Sequence, residues 1–326
     1  MKPWVVAVIV LIAIRSNAQS IADTITPALL NQYLQFLASD SLKGRGNFTP
    51  ELRKAAHFIA AEFGKEGLHF FPGTENFFHP FYPLRNTKEK INDSPSVLDS
   101  TKILLNVVGV LPSNNIADEA IIFSAHYDHV GTEIGKTDNI FNGANDNASG
   151  TAALLALAHY YALRKDNNRT LIFCAFSGEE LGLLGSEEFV KYINPSSIKA
   201  LINIEMIGRH KFGKKAFFVT GEYYSNLASI LMKNLKGTGV RVIHEPSIEK
   251  KLFMRSDNYA FALKGIPAHS VMSSDDSDEC YHQPCDELKR LDVNNMAVIV
   301  QAIAIGCRSF IDGSITPKRI NAHHLY

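Results

Sequence analysis

This chain has no excess of charge of either sign. Basic and acidic side chains both number 33 in 326 residues. A formal net charge of zero gives no bulk electrostatic reason to bind nucleic acid or an acidic membrane surface. Internal repeats and low-complexity tracts are also missing, which argues against a solenoid or a compositionally disordered chain. No second membrane segment follows the apolar run near the N-terminus, and no cysteine stands just after that run to carry a lipid. Function must therefore reside in local sites.

What is present is ordinary globular composition, with 46% hydrophobic and 20% charged residues, enough to bury a substantial core. Lys2, the apolar residues 5–14 and the small residues Ser16 and Ala18 have the form of a secretory signal peptide. The apolar run is short of the roughly 20 residues that span a bilayer. We therefore expect residues 1–18 to be removed, residues 19–311 to form a single catalytic domain and residues 312–326 to be a polar peripheral tail. The expected location is secreted or periplasmic, without a stable membrane anchor. Export permits disulfides. Cys280 and Cys285 flank His282 and could stiffen its loop, whereas Cys174, inside an apolar run, reads as a small buried hydrophobe.

Helical and strand patterns alternate along the chain. Leu52, Ala55, Ala56, Ile59 and Phe63 recur at helical spacing within residues 50–68. Residues 72–100 carry proline, asparagine and charge without period and read as an irregular excursion. Short apolar runs at 120–125, 171–176 and 201–204 read as strands, with helical patterns at 149–163 and 182–192 between them and a long apolar helix at 294–310. The expected fold class is α/β, a three-layer arrangement whose mixed, centrally parallel sheet is flanked by helices.

Each of the three apolar strands runs into residues that can bind metal. Ala125 leads to His126 and Asp128, Phe176 to Glu179 and Glu180, and Ile204 to Glu205. The carboxyl edge of a parallel sheet is where α/β proteins build sites. Neutral imidazole and ionised carboxylate suit zinc near neutral pH. Asp128, two residues after His126, can accept the second imidazole N–H. Taken singly these features have plainer readings: His126 as a structural histidine, Ser149 as a cap for the following helix, and the Glu179-Glu180 doublet as acids at a helix start. Adjacent carboxylates diverge, so one could bind metal while the other handles a proton.

These residues, with the Gly143-to-Gly150 loop, Arg255-Ser256-Asp257-Asn258-Tyr259, Tyr281-to-Asp286 and the leading Leu37-Ala38-Ser39-Asp40 and Gly44-Arg45-Gly46, resemble metallopeptidase family 28. The family contains di-zinc aminopeptidases, related carboxypeptidases and the diverged glutaminyl cyclases. The resemblance implies a three-layer zinc-exopeptidase fold and two zinc ions per chain. Asp146 would bridge them, His126 and Glu205 would complete one site, and Glu180 with His282 the other. It further implies Glu179 as general base, Asp128 orienting His126, Tyr281 stabilising the oxyanion, and a cis peptide between Asp146 and Asn147. The implied substrate is a peptide with a free N-terminus.

One ligand departs from the family pattern: Glu205 stands where aspartate is usual. The longer side chain changes its reach, so the second metal is less assured. His129 and His269 read as hydrogen-bonded neighbours, and Asp257 as a positioning residue. The acidic run 275–279 reads either as a solvated loop or as an attractor for cationic peptide ends. Carboxypeptidase or dipeptidase specificity, a one-zinc glutaminyl cyclase and a silent binding domain remain open alternatives.

Overall fold

The computed structural model describes residues 21–83, 102–133, 135 and 138–325. The expected signal peptide, and residues 84–100 of the expected excursion, lie outside that range. Nine strands are described: β1 (His69–Phe70), β2 (Phe78–Phe81), β3 (Leu104–Leu111), β4 (Ile116–His126), β5 (Arg169–Phe176), β6 (Ile198–Glu205), β7 (Ala216–Val219), β8 (Arg241–Ile243) and β9 (Ala268–Met272). They form one sheet in the order β1-β3-β5-β4-β6-β9-β7-β8, with β2 also paired to β3. The central strands β5, β4, β6 and β9 are mutually parallel. Antiparallel β3 and β7 flank them. The edge strand β2 corrects the irregular reading of residues 72–83: four residues of alternating burial, too few to show a period in sequence, zip onto β3.

The central strands read as unbroken apolar runs because both their faces are covered. Along β4 the pleat divides them: Ile121, Phe123 and Ala125 enter the core of one face, and Ile122 that of the other. The first face is covered by helices α1 (Pro27–Leu37), α2 (Pro50–Lys65) and α3 (Ser149–Arg164). The opposite face takes α4 (Leu184–Phe189). On the first face again lies α5 (Leu227–Asn234), on the second α6 (Asn258–Ala262), and on the first α7 (Val293–Gly306), followed by α8 (Arg308–Ile311). The segment Val293–Ile311 is apolar and long enough to cross a membrane, but most of it is buried in this core.

One local expectation changes and a second is qualified. Ser149 is already helical, so its hydroxyl cannot reach forward to cap; it donates to Asn145 O (2.7 Å) and accepts from Ile207 N (3.1 Å). The cap is Asn147, whose Oδ1 accepts from Gly150 N at 2.9 Å. The C-terminal tail is for the most part not buried, as expected, but it is anchored to the domain. Ile320 and Leu325 enter the core of the second face, and Arg319 donates to the carbonyls of Pro195, Ile198 and Lys264.

Candidate metal centre and active site

Because β5, β4 and β6 are adjacent and parallel, their carboxyl ends lie side by side on one edge of the sheet. His126 ends β4 and Glu205 ends β6, while Glu179 and Glu180 follow β5 after Ser177 and Gly178. Asp146 arrives in the loop before α3, with a cis peptide to Asn147. Gly143 opens that loop at φ +55, and a Cβ there would meet the His129 ring at 2.5 Å. Tyr281 and His282 come from the loop closed by the Cys280–Cys285 disulfide, whose Cα atoms are 5.3 Å apart. His282 itself sits at φ +52, a conformation that side chains with a Cβ adopt reluctantly.

All five expected ligands converge. His126 Nε2 lies 3.4 Å from Asp146 Oδ1 and 3.3 Å from Glu205 Oε2. On the other side of Asp146, His282 Nε2 lies 3.0 Å from its Oδ2 and 3.2 Å from Glu180 Oε1. Asp146 thus offers one oxygen to each group. Tetrahedral zinc with bonds of about 2.0–2.2 Å would separate its nitrogen and oxygen ligands by about 3.3 Å, so the donor spacings fit. Unspent donors also point the same way. His282 Nε2 and Glu205 Oε1 are buried without a hydrogen-bond partner, although carboxylates stand close to the imidazole. His129 joins the second group, its Nδ1 2.9 Å from Glu180 Oε1 and 3.8 Å from Asp146 Oδ2.

Asp128 is placed differently from the expected orienting role. His126 Nδ1 lies 3.1 Å from the Asp128 main-chain carbonyl, while the nearest carboxylate oxygen is 3.7 Å away. That carboxylate instead accepts from the main-chain N–H groups of Glu179 (3.2 Å) and Glu180 (3.3 Å) and from Asn47 Nδ2 (2.7 Å). Asp128 therefore fixes the acidic doublet, and its own backbone fixes the histidine.

Several residues of the recognised motifs have partners that the sequence did not indicate. Asp286, at the end of the disulfide loop, accepts from the amides of Asn145 (2.9 Å) and Asp146 (3.0 Å). Ser256 donates to Glu205 Oε2 at 2.9 Å and accepts from Asn203 Nδ2 at 2.8 Å, so its single proton is committed to the ligand. His269 is turned away, with Nδ1 on Thr220 O and Nε2 on Ser225. Asp257 is fully buried, and its carboxylate oxygens have no hydrogen-bond partner. Burial, joined by Asp128 and Glu205 against the opposing His126, pushes it up to about 7.

The charges act on one another strongly in this buried space. Burial pushes the Glu179 carboxyl well up, and Asp257, Glu205 and Glu180 add to this while His126 opposes it. Burial works against a charge on His282, but Asp146 and Glu180 outweigh it and bring that group to about 10. Burial and the same two carboxylates raise Tyr281, keeping its phenol proton in place as a donor. The acidic run is solvated only toward its far end: Asp275 is buried between Lys211 and Lys250, both at 2.8 Å, and Asp276 pairs with Lys250 and Arg255, while Glu279 is exposed.

The donors open into a narrow cleft. His126, Asp146 and the acidic doublet line one side, and Met206, Leu252 and Met272 form an apolar wall. Tyr281 stands at this cleft, and Arg255 with Asp276 borders it.

The sequence profile of peptidase family M28 matches residues 106–305. The aminopeptidase YwaD of Bacillus subtilis is 27% identical over 197 residues, covering 57% of this chain and 40% of that protein. This chain spans less than half the length of the curated relatives it matches. In fold it is similar to the LapA aminopeptidase of Legionella pneumophila, with TM-score 0.68, 18% identity, and 91% and 75% of the two chains covered. It is also similar to a glutaminyl cyclase of Bacteroides thetaiotaomicron, with TM-score 0.62, 16% identity, and 86% and 95% covered. The expected three-layer α/β fold is thus borne out, though this likeness does not choose between hydrolase and cyclase. The profile match spans more than half of the sequence and contains every expected metal ligand: the chain belongs to peptidase family M28.

Proposed function

We propose that this chain is an exported di-zinc aminopeptidase that removes N-terminal residues from peptides. The observation that carries this reading is the pair of complete donor groups sharing Asp146, with Glu179 beside them in an apolar-walled cleft. His126, Asp146 and Glu205 would hold one zinc, and Asp146, Glu180 and His282 the other. His129 stands ready beside the second group. Bound zinc would polarise the scissile carbonyl and lower the pKa of water.

The remaining work falls to this chain's own residues. Glu179 takes the proton of the attacking water and delivers it to the leaving amine, so no covalent intermediate is required. Tyr281 donates its phenol hydrogen to the developing oxyanion. Asp128 holds the backbone of Glu179 and Glu180 so that the base and a ligand keep their relative positions. The wall of Met206, Leu252 and Met272 suits an apolar side chain on the N-terminal residue.

Export is supported by residues 1–18 and by the Cys280–Cys285 disulfide, which persists in oxidising compartments. Residues 19–311 supply the catalytic domain, with the residues beyond 311 packed upon it. Elemental analysis of purified protein, run beside hydrolysis of a leucine anilide and its N-acetylated form, tests the reading. Two zincs per chain with cleavage of the free-amine substrate alone supports it. One zinc, with cyclisation of N-terminal glutamine and no hydrolysis, replaces it with the cyclase.

A further inference from the structure

Arg45 is among the largest fully buried side chains of the protein, with 1% of its surface exposed. It lies between Gly44 and Gly46 on a tightly wedged turn: a Cβ on Gly44 would meet the carbonyl oxygens of Gly131 and Phe141 at 2.3 Å. Its main-chain carbonyl accepts from His129 N at 3.2 Å, tying the turn directly to the site segment.

Every hydrogen bond of the guanidinium goes to a main-chain carbonyl. Nε donates to Tyr127 O (2.8 Å), Nη1 to Leu37 O and Asn142 O (2.7 Å), and Nη2 to Gly143 O (2.9 Å). These carbonyls are not arbitrary. Tyr127 lies between His126 and Asp128, and Asn142 and Gly143 begin the loop that presents Asp146. One planar fork therefore spans the segments that carry a ligand of the first group and the ligand shared by both. Lysine, a point donor on a flexible stem, cannot reproduce that geometry. Burial lowers the group to about 10, with Asp146, Asp286, Asp128 and Glu180 counteracting, so the charge persists near neutral pH.

The Asp146 loop is consequently gripped from both ends by opposite charges. Arg45 takes the carbonyls of residues 142 and 143, and Asp286 takes the amides of residues 145 and 146. Main-chain carbonyls turned to a cation and amides turned to an anion leave the loop a single way to sit.

We infer that Arg45 is a positioning residue that preassembles the metal site, holding the His126–Asp128 segment and the Asp146 loop in register before any metal binds. This rests on the di-zinc reading above. It goes further in locating the source of the site's order in a residue that touches neither metal nor substrate.

Arg45→Lys keeps the charge and loses most of the fork. Zinc affinity is measured by chelator competition on folded protein, with Leu30→Ala as a control that opens a core cavity at a residue that is neither an expected ligand nor a hydrogen-bond partner of Arg45. Arg45→Lys should weaken zinc binding about 10–100-fold, the range seen when outer-shell partners of a metal site are lost. Leu30→Ala should lower stability and leave zinc affinity unchanged. Equal zinc affinity in Arg45→Lys and the parent, or an equal loss in Leu30→Ala, overturns the inference. A parent that binds no zinc refutes the di-zinc reading instead. Hydrogen exchange on the metal-stripped parent does not depend on a variant folding. Residues 126–131 and 142–150 should stay within a few-fold of their zinc-loaded protection, and free exchange there without zinc overturns the proposal.

Discussion

Asp286 holds Asp146 by its main chain, its carboxylate accepting the Asp146 amide at 3.0 Å while the Asp146 side chain faces His126 and His282. A carboxylate outside both donor groups thus aims the one that they share. Its neighbours in sequence are His282 and the disulfide, so a single loop supplies both a ligand and the support for another.

Removing that support should be costly. Asp286→Ala leaves the buried amides of Asn145 and Asp146 without an acceptor, which we expect to cost about 1–3 kcal/mol. A shifted denaturant midpoint at unchanged slope is the check.

Glu179→Gln keeps the side chain's size and removes its ability to carry a proton. Zinc content should stay at the parent level while kcat falls about 10²–10⁴-fold. A variant with normal kcat would assign the base elsewhere.

Glu205 reaches Ser256 and the first donor group with the length of a glutamate. Glu205→Asp withdraws the carboxylate by one methylene and breaks the Ser256 contact, although aspartate is the family's usual residue. One zinc per chain should then weaken about 10–100-fold and be lost first on dialysis against chelator. Retention of both metals would show that the loop from Met206 can follow the shorter side chain.

The Cys280–Cys285 bridge closes the loop that carries His282 and leads into Asp286. Paired Cys280→Ser and Cys285→Ser substitutions should lower activity and zinc content while far-UV circular dichroism stays unchanged, because the sheet and its helices are built elsewhere. Full activity in the double variant would show that packing alone places His282.

Acid should weaken the loop that borders the cleft. Burial opposes ionisation of Asp275, but Lys211 and Lys250 hold its carboxyl well below the ordinary aspartate range. The unfolded chain takes up that proton at about pH 4, whereas the folded one resists it to much lower pH. The stabilisation is therefore complete above about pH 4 and fades as pH falls toward the folded value. Asp275→Asn should be less stable than the parent at pH 7, with the gap narrowing below pH 4 in parallel thermal melts.

The features legible in the sequence are those that neighbours along the chain create. Apolar runs leading into His126, Glu180 and Glu205 announce buried parallel strands with candidate ligands at one edge, since the alternation of strands and helices dictates where their carboxyl ends lie. The turn at residues 143–150 and the ring of residues around His282 are equally local. Long-range partners are another matter. Asp286 meets Asp146 across a sequence separation of 140 residues, and Arg45 meets Gly143 across 98. No periodicity records such a pairing. The same reason governs the smaller differences: Asp128 spends its carboxylate on the amides of Glu179 and Glu180, strand β2 exists because β3 offers it an edge, and Ile320 and Leu325 are buried because the second face of the sheet needs cover. Sequence alone determined the residue types of the candidate donor groups, the layered α/β fold and the family. Only the tertiary structure decided which buried charge holds which loop, because a hydrogen bond between distant segments is selected by the packed sheet that brings them together.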